Sequence, residues 1–291
     1  MEKKFLVHLQ ELLSQHFSKE MTIVDWQQVF GGDINQTFVL ADNLNRKFFL
    51  KLNSTSQKDM FEKEFNGLRL LRSTNSLFVP VPVLQGSFHN LIFLVMEYLE
   101  KGNPTKTFWK EFATGLAKFH QTTHPFFGLE EDNYIGSLYQ SNHYCSDWEQ
   151  FYASQRILPL FHLALQQQKC TVHDVRDAEQ LCQKLNTIFP NEPPSLIHGD
   201  LWEGNFMCLK DGRPAIYDTA VYYGHREMDI AMSLLFGGFD ASFYPYYNEI
   251  FPLEKSWRDR VELCQLYPLL VHLILFGGHY YSSVKEILRK Y

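Results

Sequence analysis

The residues that could do chemistry crowd into one stretch, Leu196-Ile197-His198-Gly199-Asp200-Leu201-Trp202-Glu203-Gly204-Asn205, with Asp218 following in Ala215-Ile216-Tyr217-Asp218. An Asp and then an Asn on a short loop entered from apolar residues can set a carboxylate beside an attacking hydroxyl and an amide beside a cation. Phosphoryl transfer needs little covalent help from protein; it needs an aligned hydroxyl and cations that neutralise the phosphate oxygens. Asp200 is therefore the candidate base. Asn205 and Asp218 are the candidate ligands of Mg2+, which carboxylate and amide oxygens suit. His-Gly-Asp is also an ordinary turn composition, but the required order of His198, Asp200, Asn205 and Asp218, with a second apolar run from Pro214 to Tyr217 delivering the last, favours the catalytic reading.

A cation for the phosphates has to come from elsewhere in the chain. Residues Thr22–Phe30, Thr37–Ala41 and Lys47–Leu52 are rich in β-branched and aromatic side chains and are separated by Gly31-Gly32-Asp33 and Asp42-Asn43-Leu44-Asn45, which predicts a three-stranded antiparallel meander. Gly31-Gly32-Asp33 stands where backbone N–H groups could approach nucleotide phosphates, although paired glycines are common in hairpins too. Lys51 ends the third run as a strand-borne lysine able to reach the α- and β-phosphates. The alternative is an edge-strand surface lysine, a description that fits Lys47. Spacing then predicts a helix over Gln57–Arg72 with Phe61, Glu64, Phe65, Leu68 and Leu71 on one stripe. A carboxylate within an apolar stripe needs a cation. Lys51 is the natural partner of Glu64, with Glu62 the solvated alternative.

Two further strands are predicted at Val83–Phe88 and Leu91–Met96, after which the chain leaves the sheet through Glu97-Tyr98-Leu99-Glu100. Backbone groups of that segment could bond an adenine edge, or it could be a plain linker. Beyond it the pattern turns helical, over Lys106–Thr122, Trp148–Gln168, Asp174–Phe189, Met228–Phe236, Phe243–Phe251, Trp257–Phe276 and Ser282–Tyr291. An amphipathic helix, Lys4–Phe17, opens the chain. The expectation is an α+β chain in two lobes: residues 1–97 as an antiparallel-sheet, nucleotide-binding lobe with one key helix, and residues 98–291 as a mainly helical lobe carrying the catalytic loop and the acceptor site.

Composition sets the outer bounds. A chain of 291 residues, 45% of them hydrophobic, can bury a substantial core. Its net charge of -6 and its lack of clustered Lys and Arg argue against a nucleic-acid or membrane partner and for small-molecule chemistry. The cysteines, Cys145, Cys170, Cys182, Cys208 and Cys264, are odd in number, scattered and never in a Cys-x-x-Cys pair. That pattern implies a reducing compartment and a cytoplasmic location. Met1–Gln10 has Glu2, His8 and Gln10 in place of an apolar signal core. The apolar run Leu269–Phe276 is too short for a bilayer and reads as a core helix.

Taken together, these residues resemble the fructosamine and ketosamine kinases, within the larger group of aminoglycoside phosphotransferases and choline kinases. The matching pieces run along nearly the whole chain: Gly31-Gly32-Asp33-Ile34-Asn35, Phe49-Leu50-Lys51, Phe61–Leu71, Met96–Leu99, Gly136-Ser137 with Gln140 and Asn142, Phe151–Leu160 with Gln155-Arg156, the His198–Asn205 loop, and Tyr217-Asp218 through Gly224-His225-Arg226-Glu227 to Asp229. Trp202 and the Gly224–Asp229 tail point to ketosamine kinases in particular.

The resemblance implies a protein-kinase-like fold, ATP and Mg2+ as cofactors, and phosphorylation of the sugar 3-hydroxyl of a small or protein-borne ketosamine, whose product decomposes to release the amine. It assigns Asp200 to the hydroxyl, Asn205 and Asp218 to the metal, Lys51 to the phosphates, and Glu64 to the lysine. Gly31, Gly32, Asp33 and Glu97-Tyr98-Leu99-Glu100 would hold the nucleotide. Trp202, His225 and Arg226 would face the acceptor, although Trp202 could equally be packing and the other two a structural ion pair. Gln140 and Asn142 could hold sugar hydroxyls or only their own loop. His198 is expected to anchor the loop, and Asp229 to brace it from the following helix. Two departures stand out: Asp33 where some relatives carry a redox-linked Cys, and Thr219 where many carry Pro. The competing readings are an aminoglycoside, choline or other alcohol as acceptor, and a non-catalytic ATP-binding pseudokinase.

Overall fold

The computed structural model describes residues 2–29, 35–54 and 59–291. The expected Gly31-Gly32-Asp33 turn, and the start of the second helix at Gln57, lie outside the described residues.

Helix α1 (Lys3–His16) buries Phe5, Leu9 and Leu13, spaced so that they share one face. They rest on one side of a sheet built from β1 (Ile23–Val29), β2 (Gln36–Asp42), β3 (Lys47–Ser54), β4 (Pro82–Phe88) and β5 (Leu91–Glu97). Among the described residues the sheet is five-stranded, in the order β1-β2-β3-β5-β4, with every neighbouring pair antiparallel. Strand alternation sorts β3 cleanly. Phe48, Leu50 and Leu52 join the cluster under α1, while Phe49 packs into the cluster on the opposite face. Lys51 shares that opposite face by the period of two.

Helix α2 (Met60–Ser73) lies against this second face and buries Phe61, Leu68 and Leu71. The same apolar cluster takes in Leu94 and Met96 of β5, Phe108, Phe112 and Leu116 of α3 (Phe108–His120), and Leu196, Leu201 and Ile216 around the catalytic loop. Sheet and helices thus share a continuous core.

The rest is mainly helical. A short hairpin, β6 (Asn133–Ile135) with β7 (Leu138–Gln140), precedes a long helix whose parts are α4 (Trp148–Phe151), a π-helical segment (Tyr152–Ile157) and α5 (Leu158–Gln166). The spacing predicts one plain helix here. Pro159 explains the difference, because it has no N–H to give the Gln155 carbonyl. That carbonyl instead accepts Nη1 of Arg156 at 3.0 Å. The predicted helix Asp174–Phe189 is likewise split, into α6 (Val172–Cys182) and α7 (Leu185–Ile188). A capping box between Thr171 and Asp174 starts α6.

After α7 come β8 (Ser195–Ile197), β9 (Phe206–Cys208), β10 (Pro214–Ile216) and β11 (Tyr222–Gly224), then α8 (Glu227–Leu235), α9 (Phe243–Ile250), α10 (Trp257–Phe276) and α11 (Tyr280–Lys290). The α+β, two-lobed expectation holds. Among the described residues no helix is long and apolar enough to cross a membrane.

Candidate active site

Two antiparallel strand pairs deliver the candidate catalytic residues. Strand β8 pairs with β11 and releases the chain into His198-Gly199-Asp200, while β9 pairs with β10, so that Asn205 enters one strand and Asp218 follows the other. Tyr217 N donates to Asn205 O at 3.0 Å, which ties the two ends together.

The loop is pinned from below. Asp229 near the start of α8 accepts the backbone N–H groups of His198 at 2.7 Å and Gly199 at 3.0 Å. It also faces His120 Nε2 at 3.1 Å. Gly199 has φ +82°, and a Cβ there would lie 2.1 Å from the Ala220 carbonyl oxygen, so the close passage of the two segments excludes any side chain. The His198 ring is buried, which holds its pKa below the usual histidine value. A neutral ring suits its contacts, with Nε2 3.0 Å from the Tyr217 carbonyl oxygen and Nδ1 3.3 Å from Asp200 N. Thr219 donates Oγ1 to the His198 carbonyl at 2.9 Å.

Five of the expected polar residues meet. Lys51 Nζ lies 2.6 Å from Glu64 Oε1 and 2.9 Å from Asp218 Oδ1. Burial alone would strip its proton, but the Asp218 and Glu64 carboxylates outweigh that and hold its pKa above the ordinary lysine value. Glu64 is thus the carboxylate that reaches the lysine, as its place on the apolar stripe of α2 implies. Asn205 Nδ2 donates to Asp200 O at 2.8 Å, Asp200 Oδ2 at 2.9 Å and Asp218 O at 3.3 Å. Asp218 itself has φ +60°, a strained setting for a residue other than Gly, and Asn205 and Lys51 grip it there. Burial, then the charge of Asp218, pushes the Asp200 carboxyl up to about 7.

Two carboxylates that repel one another beside an ammonium fit a site completed by a divalent cation and a polyphosphate. Asp218 and the amide oxygen of Asn205, whose nitrogen is already committed, are the oxygen donors available for the cation.

The remaining expected positions fall as follows. Glu97 N donates to Val81 O at 2.8 Å, and the Glu97 carboxylate accepts Val81 N at 3.1 Å. Glu100 O accepts Lys210 N at 2.9 Å, and its carboxylate pairs with Lys210 Nζ at 2.8 Å. Tyr98 and Leu99 lie between these committed groups. Trp202, two residues past Asp200, is half-buried, its ring edge-on to Phe236 at 5.8 Å.

His225 and Arg226 do not face an acceptor. His225 is 0% exposed, and Arg226 forms a two-point pair with Glu192 at 2.7 Å on each arm while donating to the Phe251 and Pro252 carbonyls. For Arg226 the geometry favours the ion pair, because a buried guanidinium with every arm engaged has nothing left for a sugar. Gln140 and Asn142, 2% and 0% exposed, hold protein groups too.

The sequence reading missed His120 and Glu192. His120 sits one residue past the Phe119 that closes the apolar stripe of α3, and its Nδ1 meets Tyr247 OH at 2.7 Å. Glu192 is the lone acid in Pro190-Asn191-Glu192-Pro193. Nothing local in either segment marks its distant partner.

With this geometry in hand, comparison places the chain. The family pattern described as fructosamine kinase matches residues 6–291. A protein of Enterococcus faecium, provisionally named a ketoamine kinase, is 40% identical over 269 residues, covering 90% of this chain and 94% of that relative. The crystal structure of a protein of Haemophilus somnus, provisionally named a fructosamine-3-kinase, superposes with a TM-score of 0.89 at 28% identity, covering 97% of this chain and 96% of its own. At 17% identity and a TM-score of 0.65, the ternary complex of APH(2″)-IIa with streptomycin and ATP covers 99% of this chain and 96% of its own, a likeness of fold alone. The fold is protein-kinase-like. The chain is an ATP-dependent phosphotransferase, and it belongs to the fructosamine kinase family.

Proposed function

We propose that the protein phosphorylates the sugar 3-hydroxyl of ketosamines, the Amadori-type adducts of sugars on amines, and that this phosphorylation leads to release of the amine. The observation that carries the reading is the shared grip of Glu64 and Asp218 on Lys51, with Asn205 spanning Asp200 and Asp218. An ammonium held in that way is placed for the α- and β-phosphates, and the Tyr98–Leu99 backbone for the adenine edge. When bound to Asn205 and Asp218, Mg2+ supplies charge neutralisation on the phosphate oxygens.

Asp200 accepts a hydrogen bond from the acceptor hydroxyl and takes its proton as the oxygen attacks the terminal phosphorus. Asn205 Nδ2 fixes the Asp200 carboxylate through Oδ2, so the base is aimed before the acceptor arrives. Lys51 holds the remaining phosphates against recoil. Trp202, two residues past the base, offers an apolar face to the sugar ring. Once the phosphate sits on the carbon next to the ketone, loss of a proton from the amine-bearing carbon gives an enaminol. This expels inorganic phosphate, and water hydrolyses the resulting imine to free the amine.

The test is mass spectrometry of a glycated peptide incubated with ATP and magnesium. A gain of one phosphate followed by loss of the whole sugar adduct is expected, and Asp200→Asn should abolish both while leaving the melting temperature near that of the unaltered protein. A phosphorylated adduct that persists would refute the release step. Turnover of choline or kanamycin, with none on the glycated peptide, would refute the acceptor.

A further inference from the structure

Gln140, Asn142 and Arg156 have no part in the chemistry just described, yet all are buried in one polar chain. The Arg156 guanidinium lies 4.0 Å from the Tyr222 ring centroid and donates Nη2 to Asn142 Oδ1 at 2.6 Å. Asn142 Nδ2 donates to Asn133 Oδ1 at 3.0 Å and to Glu131 O at 3.1 Å. Asn133 and Gln140 are cross-strand partners in the β6–β7 hairpin. Gln140 Nε2 donates to Asn133 Oδ1 at 2.7 Å and to Ala220 O at 3.1 Å, and Asn133 Nδ2 donates to Val221 O at 2.7 Å. The chain therefore ends on two carbonyls just past Asp218.

The same hairpin and the residues just before it also grip α2. Lys63 Nζ and Asn66 Nδ2, on either side of Glu64, donate to Glu131 Oε2 at 2.8 Å and Oε1 at 3.0 Å. Tyr134 OH donates to Asp59 at 2.7 Å, at the start of the helix. Glu64 and Asp218 come from different halves of the protein and share one ammonium, so their separation has to be held by something that touches both supports.

We propose that the segment 131–142 is a brace that fixes α2 relative to the Asp218 segment between β10 and β11, and that Glu131 is a positioning residue keeping Glu64 on Lys51. The inference rests on the phosphate-site reading of Lys51, Glu64 and Asp218 given above. Glu131 separates this role from folding, since its side chain is 33% exposed and that of Lys63 20%, so water can reach the groups that a substitution leaves unpaired.

Glu131→Ala, Glu131→Gln, Glu64→Gln and the double variant Glu131→Ala with Glu64→Gln test it, with kcat and KM for ATP on a glycated peptide, the Kd for ATP by calorimetry, and the melting temperature. Glu131→Ala should lower kcat/KM for ATP and weaken ATP binding by about tenfold, with a melting temperature within about 2 °C. Glu131→Gln, which can still accept from Asn66, should return to within about threefold of the unaltered protein. In the Glu64→Gln background Glu131→Ala should add nothing. Equal losses in both backgrounds would overturn the brace, as would kinetics and Kd unchanged by Glu131→Ala. If the unaltered protein turned over no ketosamine, the acceptor reading would fail and the brace would be judged on the Kd alone: weakening confined to the Glu64 background supports it, and an unchanged Kd overturns it.

Discussion

The Asp229 carboxylate takes the backbone N–H of His198 at 2.7 Å, and with it the direction in which the catalytic loop leaves β8. The Gly199 N–H and the His120 ring converge on the same group, so removing it strands several buried donors at once. Each buried donor left without a partner costs about 1–3 kcal/mol. Asp229→Ala should therefore lose several kcal/mol of stability and, through a loop no longer fixed, about 100-fold in kcat. Asp229→Asn, which keeps one carbonyl oxygen, should fall between. Urea unfolding and kcat measured side by side check this, and a destabilised variant of full activity would show that the loop holds its own shape.

Gly67 marks where α2 touches the segment that follows Asp218. A Cβ there would come within 3.1 Å of both Thr219 Cγ2 and Val221 Cγ1. Alanine is the better helix former by about 1 kcal/mol, so Gly67→Ala sets propensity against contact. The expected result is little change in melting temperature and a rise of about threefold or more in KM for ATP, because the helix moves and carries Glu64 with it. A more stable variant with unaltered KM would mean that the interface has room to spare.

The parts of this arrangement that were legible in the sequence are those with a period. Glu64 falls on the apolar stripe of a helix, and Lys51 falls on the strand face that the stripe covers, so their meeting follows from helical spacing and strand alternation. The β6–β7 hairpin offers no such handle. Asn133-Tyr134-Ile135 and Leu138-Tyr139-Gln140 are too short to display alternation, and their buried amides look like surface residues until their partners are known. Arg226 reads the same whether it faces a sugar or Glu192. What decides between them is Glu192, remote in sequence and brought near only by folding. The π-helical turn before Pro159 was visible as a proline, but not the arginine that satisfies the carbonyl it leaves open.

Arg226 gives the sharpest test of that reading. Its pair with Glu192 is buried, with side-chain exposures of 3% and 12%, and loss of one partner leaves the other charge uncompensated at a cost of about 3–5 kcal/mol. Arg226→Met should show that loss in urea unfolding, and adding Glu192→Leu should restore much of it. Lysine should not substitute, since it lacks the planar two-point geometry. At a temperature where Arg226→Met remains folded, KM for the ketosamine should be unchanged. A raised KM there would return Arg226 to the acceptor site.

Asp174 predicts an acid-dependent part of the stability. Burial would raise its pKa, but the Lys285 ammonium, the backbone and hydroxyl of Thr171 and the Tyr281 hydroxyl outweigh burial and hold it at about 2. The ordinary value is 3.8, so the folded state binds this proton less readily than the unfolded chain does. The stabilisation is therefore complete above the unfolded pKa and is lost as pH falls through the folded one. The size of the shift corresponds to about 2 kcal/mol for a side chain with 0% exposure. Asp174→Asn should cost about that much near neutrality, with the gap between variant and unaltered protein closing as pH falls from about 5 toward 2. Urea unfolding across that range gives the curve. A gap independent of pH would show that the effect does not come from the charge on the carboxyl group, while a closing gap assigns it to the ionised carboxylate that Lys285, Thr171 and Tyr281 hold.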